Sequence, residues 1–223
     1  MSELERTVAL RRGVRLEAAS LAWMAVEGAA AIGAGVAARS VLLTAFGADS
    51  VIELLSAFVV MRLLLVEAGS GRTEALERLE LTTTRVAALL LVLLCVYVAA
   101  SSVAGIVLGL RPEGSVVGLA VSAAAIAIMP FLAWRKIRVN MVLGSAALRA
   151  DAAESVSCAF LAAVTLVGLG ASMALGWWWV QYVAALALLI WIVPEAREAI
   201  EEAREGNGGD TADNEREQSG WRR

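Results

Sequence analysis

Two carboxylates, Asp49 and Glu53, sit four residues apart inside the apolar run VLLTAFGADSVIELLSAFVV, and no Lys or Arg lies between Ser40 and Met61. A spacing of four places both on one face of a helix. One ionised carboxylate at membrane depth costs about 2.5–3.5 kcal/mol even on insertion-based scales, which is large beside the roughly 5–15 kcal/mol stability of an ordinary fold. The pair must therefore hold protons, bind a cation from outside, or face water.

The surrounding chain makes membrane depth the relevant setting. Hydrophobic residues make up 59% of the 223, and mean hydropathy is +0.72. Several apolar stretches approach the ~20 residues that a spanning helix needs. The sequence reads as an all-α integral membrane protein with six spans at about 16–38, 41–65, 86–110, 116–134, 147–175 and 178–195. Residues 1–15 form a charged N-terminal segment, 16–200 the six-helix domain, and 201–223 a polar tail, expected to extend span six briefly and then become disordered. The charged N-terminus runs straight into a segment too long for a signal-peptide core, so no cleavable leader is expected.

Basic residues set the expected orientation. Seventeen of the 19 Lys and Arg fall before span one, beside the connections after spans two and four, or after span six, while only Arg39 and Arg111 lie on the other side. That bias predicts a multi-pass protein with both termini in the cytoplasm. The GWWWVQY turn before span six suits an aromatic belt at the outer interface.

A second polar group lies on span five, in ALRADAAESVSC. Asp151, Glu154 and Cys158 follow one another at i, i+3 and i+7 and share a face, with Ser155 beside them. Carboxylates and thiolates are ordinary ligands for divalent metals, and a four-coordinate site between two helices takes about two ligands from each. Asp49 and Glu53 with Glu154 and Cys158 supply that number, and Asp151 is a further candidate. Asp151 is equally readable as a shallow group or a charge partner of Arg149, and Cys158 as a small buried hydrophobe. Glu27 in span one either lines the same cavity or proton pathway or bonds a neighbouring helix; Ser50 and Ser155 could complete a coordination shell. Four pairs of small residues four apart, Ala29/Gly33, Gly105/Gly109, Ala120/Ala124 and Ser155/Ala159, mark possible close helix contacts, within or between subunits.

These residues resemble the transmembrane domain of the cation diffusion facilitator family, six-helix exporters of divalent metals in exchange for protons. The family carries two polar ligands four apart on helix two and two more on helix five. Asp49 and Glu53 match the first pair, in a string close to D-S-L-x-D/E, and ALRADAAESVSC is similar to ALxADAxHSxxD, which sets Glu154 at the His and Cys158 at the final Asp. The likeness runs from span one to span six and takes in MPFLAWRKIRV and GWWW, and it is closest to short bacterial members. There are departures. The chain has no His, Gln181-Tyr182 replaces the usual Asp-Pro, and the soluble metal-binding domain that normally follows helix six is absent.

The resemblance implies a metal/proton antiporter of a bacterial cytoplasmic membrane, a homodimer, acting on metal ions and protons with no nucleic-acid partner and no resident cofactor. Protons and metals compete for carboxylate oxygens, and that competition can couple the two fluxes. Carboxylates suit Mn²⁺, Fe²⁺ or Mg²⁺, whereas a thiolate favours Zn²⁺, Cd²⁺ or Co²⁺. A membrane enzyme is the poorer reading, since neither HExxH nor GxSxG occurs and no polar loop is long enough to hold a substrate. A non-transporting scaffold with the same fold is the other alternative. On the topology, a single-cysteine probe at Ser219 should stay shielded in intact cells while one in the GWWWVQY turn reacts from outside; the reverse pattern would overturn the orientation and the span assignment together.

Overall fold

A computed structural model describes the backbone of residues 3–69 and 74–220, and the side chains of 6–66, 81–145 and 147–201. Among the described residues there are six helices: α1 Glu3–Ala37, α2 Val41–Gly69, α3 Glu74–Leu108, α4 Val116–Leu143, α5 Ala146–Leu175 and α6 Val180–Gly220. Four of the five successive pairs pack on one another, α1 on α2, α2 on α3, α4 on α5 and α5 on α6, whereas α3 and α4 make no such contact among the described residues. The helix ends are written locally. Ser115 accepts from the Gly118 N–H at 3.0 Å to start α4, Ser145 accepts from Leu148 at 3.3 Å to start α5, and Gly144 and Gly176 close α4 and α5 in the left-handed conformation.

Four helical stretches are long and apolar enough to cross a membrane: Arg6–Ala37, Leu81–Leu108, Val116–Leu143 and Ala147–Leu175. Large apolar side chains such as Val107, Val116 and Ile190 point outward, an outer surface compatible with lipid. The tail anticipated from residue 201 belongs to the α6 backbone, and its side chains from 202 onward lie outside those described.

α2 is central, touching α1, α3, α5 and α6, while α4 packs on α1 and α5, and α3 on α6. The α1–α2 contact depends on Gly47, where an added Cβ would stand 2.7 Å from the Ile32 backbone nitrogen. The small-residue pairs seen in the sequence behave differently. Gly33 has nothing within 4 Å of an added Cβ, and the Gly105 site is filled by the Tyr182 ring of α6, 2.4 Å from such a Cβ. Gly105 is thus internal packing rather than a free subunit contact, and Gly109 is the left-handed residue that ends α3.

The apolar run alone predicts an end to span four at residue 134, with the basic residues after it in a cytoplasmic loop. α4 instead continues to Leu143, and this carries Lys136 into the bundle, where it is fully buried. Its ammonium pairs with Asp151 of α5, lies 3.3 Å from Glu17 Oε2 of α1 and donates to Ser155 Oγ at 3.4 Å. Glu17 is itself fully buried. Three helices are joined through one cation.

Removing one member of a buried ion pair leaves an uncompensated charge and costs about 3–5 kcal/mol. Lys136→Met should therefore strongly lower the unfolding midpoint in detergent, and Glu17→Gln with Asp151→Asn on that background should restore most of the loss; a Lys136→Met protein as stable as wild type would exclude the anchoring role. By the same measurement Gly47→Ala, an overpacking change worth about 1–3 kcal/mol, should destabilise, whereas Gly33→Ala should not.

Candidate functional site

Asp49, Glu53 and Glu154 line one cavity of about 630 Å³ between α2, α3, α5 and α6. Glu195 and Glu198 of α6 complete its acidic lining, which among the described residues holds these five carboxylates and no basic residue. Helical spacing explains the set. Asp49 and Glu53, four apart on α2, project together with Ile52 and Ser56, and Glu195 and Glu198, three apart on α6, do the same. Asp49 and Glu53 are buried, Glu154 is half-buried, and Asp49 Oδ2 and Glu53 Oε2 have no hydrogen-bond partner. Pro194, also in the wall, has no N–H to give the Ile190 carbonyl, so a backbone oxygen of α6 lacks its helical donor beside the same cavity.

The cavity extends from Asp49 to Thr84, Ala150 and Glu198, residues toward the start of α3, the start of α5 and the later part of α6. At the opposite end of the bundle the helices are tied by buried polar side chains. Ser40 Oγ donates to Gln181 Oε1 at 2.7 Å, and Gln181 Nε2 donates to Ser172 Oγ at 3.0 Å, joining α6 to α5 and to the turn before α2. Gln181, which stands where the resemblance leads one to expect Asp, is a cross-link in this structure.

The remaining candidates face elsewhere. Cys158 is buried in the apolar core, and its thiol donates to Glu27 Oε1 at 3.4 Å. The Ser50 hydroxyl lies 3.0 Å from the same Glu27 oxygen and 3.0 Å from the Phe46 carbonyl, so its single proton serves one of them at a time. Glu27, fully buried, thus forms a polar cluster with Ser50 and Cys158, and its Oε2 has no hydrogen-bond partner among the described residues. Asp151 is held by Lys136, and Ser155 donates to the Asp151 carbonyl at 3.0 Å. The local charge partner that the sequence offered for Asp151 was Arg149; the partner found is Lys136, fifteen positions earlier in the chain.

Of the five proposed ligands, three line the cavity and two, Asp151 and Cys158, do not. Among the described residues no three Asp, Glu or Cys side chains converge closely enough to hold a metal ion. The acids stand apart around an open volume. Such a lining has the chemistry to receive cations or protons at its unpartnered oxygens. Glu195 and Glu198 escaped the sequence reading because they fall at the boundary assigned between span six and the tail; the spacing of three after Pro194, matching the acid spacing on α5, was the available clue.

Compared with known proteins, the chain matches no protein-family model and no curated protein.

Proposed function

We propose that this protein is a secondary transporter of divalent cations, built on six membrane spans with both termini in the cytoplasm and related to the cation diffusion facilitators. The observation that carries the reading is the cavity with, among the described residues, five carboxylates, no base, and two unpartnered carboxylate oxygens on α2. A fixed set of acids in a low-dielectric wall is costly to leave unoccupied, and each added cation or proton offsets that cost.

In this reading Glu198 and Glu195 receive the ion from the cytoplasm and Asp49, Glu53 and Glu154 hold it deeper. A cation displaces protons from these carboxylates, and protons arriving from the other side displace the cation, so export of metal is linked to entry of H⁺. The oxygen-rich lining favours hard ions such as Mn²⁺ or Mg²⁺. Cys158, bonded to Glu27 rather than facing the cavity, adds no soft ligand in this arrangement.

The separation of the carboxylates favours a second reading, a membrane scaffold that keeps the architecture without moving ions. Transport in proteoliposomes with an imposed pH gradient and a panel of divalent ions separates the two. Asp49→Ala, Glu53→Ala and Glu154→Ala should each reduce metal-dependent proton flux to background, with expression unchanged or improved because each removes a buried acid. Cys158→Ser should leave the order of preferred ions unchanged; a selective loss of Cd²⁺ or Zn²⁺ would return the thiol to the ligand set. Wild-type flux in both α2 variants would sink the transporter reading and leave the scaffold.

A further inference from the structure

A second cavity, about 1050 Å³, is larger than the acidic one. It is a groove between the start of α1 and the end of α4. Arg12 and Arg15 rise from α1, Arg135 and Arg138 from α4, and the rest of the lining is apolar, with Trp134 and Met141 prominent and no acidic residue among those described. All four arginines are exposed, and none of them pairs with a carboxylate among the described residues. The nearest acid in sequence, Glu17, is turned inward onto Lys136 and leaves their charge uncompensated.

Two of the guanidinium groups are held in place. Arg138 lies 4.2 Å from the centre of the Trp134 ring, and Arg135 lies 5.8 Å from that of Phe131. Stacking over aromatic faces restrains an otherwise mobile side chain and leaves its N–H groups free to donate. Guanidinium matches phosphate oxygens with two parallel donors. A tryptophan beside arginines near the ends of two apolar helices is the composition found at the membrane–water boundary.

We propose that this groove binds an anionic phospholipid, its phosphodiester held by Arg12, Arg15, Arg135 and Arg138 and its acyl chains lying along the apolar wall. Basic pockets between membrane helices are suited to such head groups. The apolar wall argues for a lipid over a soluble phosphate, which would leave it uncovered. A second copy of the chain is a poor occupant, because a symmetric contact here would bring two sets of unpaired arginines together.

The test is lipid binding by the purified full-length protein, titrated by native mass spectrometry with phosphatidylglycerol, phosphatidylcholine and free glycerol 3-phosphate. An arginine near the membrane surface is worth about fivefold in affinity for anionic lipid, so Arg135→Gln with Arg138→Gln should weaken phosphatidylglycerol binding about 25-fold and leave phosphatidylcholine unchanged. Arg12→Gln with Arg15→Gln gives an independent pair on the other helix, with the same loss expected. Lys at the same positions should retain most of the binding, and free glycerol 3-phosphate at millimolar concentration should not displace the lipid. Undiminished phosphatidylglycerol binding in both glutamine pairs would overturn the proposal. So would full displacement by glycerol 3-phosphate, or a disulfide-linked dimer formed through a cysteine placed at Met141.

Discussion

One buried cation organises this bundle. Lys136 stands on α4 with no access to water, and its ammonium is shared by Asp151 of α5 and Glu17 of α1. In surroundings that cannot solvate charge, the ammonium depends on the carboxylates beside it; Asp151 takes its hydrogen bond, and Glu17 balances charge while its own oxygens lack a hydrogen-bond partner among the described residues. The pairing fixes how α4 and α5 are turned. Asp151 and Glu154 are three residues apart, about 60° around the helix, and once the first is committed to Lys136 the second is aimed into the acidic cavity.

The same division runs through the rest of α1 and α4. In the stretch Trp134–Arg138 the lysine turns to the core and both arginines turn out. Acids are thus collected inside the bundle around an open volume, and unpaired bases are collected outside on a groove at one end. A net charge of −3 for the whole chain conceals this arrangement. Its two regions have opposite sign and suit opposite kinds of ligand.

Much of this was legible in the sequence. The acid pair Asp49/Glu53 and Glu154 appeared through helical spacing inside apolar runs, and all three share the cavity. Lys136 was not legible. Basic residues after an apolar run are ordinarily counted together as a loop marker, and nothing local separates a lysine that turns inward from the arginines on either side. Its partners lie on two other helices, 119 positions before it and fifteen after it. Cys158 shared a helical face with Glu154, yet the packing of α1 supplied Glu27 and drew the thiol there. The small-residue pairs were legible only in part: Gly105 does mark a close contact, the notch that Tyr182 fills, but Gly33 does not, because in an alanine-rich chain the close approach is decided by the opposing helix, as at Gly47.

The Gly105–Tyr182 fit has a mechanical consequence. With the ring seated in α3, α6 is keyed to α3, while Lys136 and the Gly47 contact lock α1, α2, α4 and α5 to one another. Around the cavity the molecule therefore has a seam, with four helices on one side and two on the other, closed at the far end where Gln181 of α6 bonds Ser40 and Ser172. The acidic cavity lies along it, with Asp49, Glu53 and Glu154 on the larger block and Glu195 and Glu198 on the smaller. A few degrees of tilt across that seam would alter the distance between the two groups of carboxylates without disturbing either block's own packing. Charge drawn into the gap would itself supply the closing force.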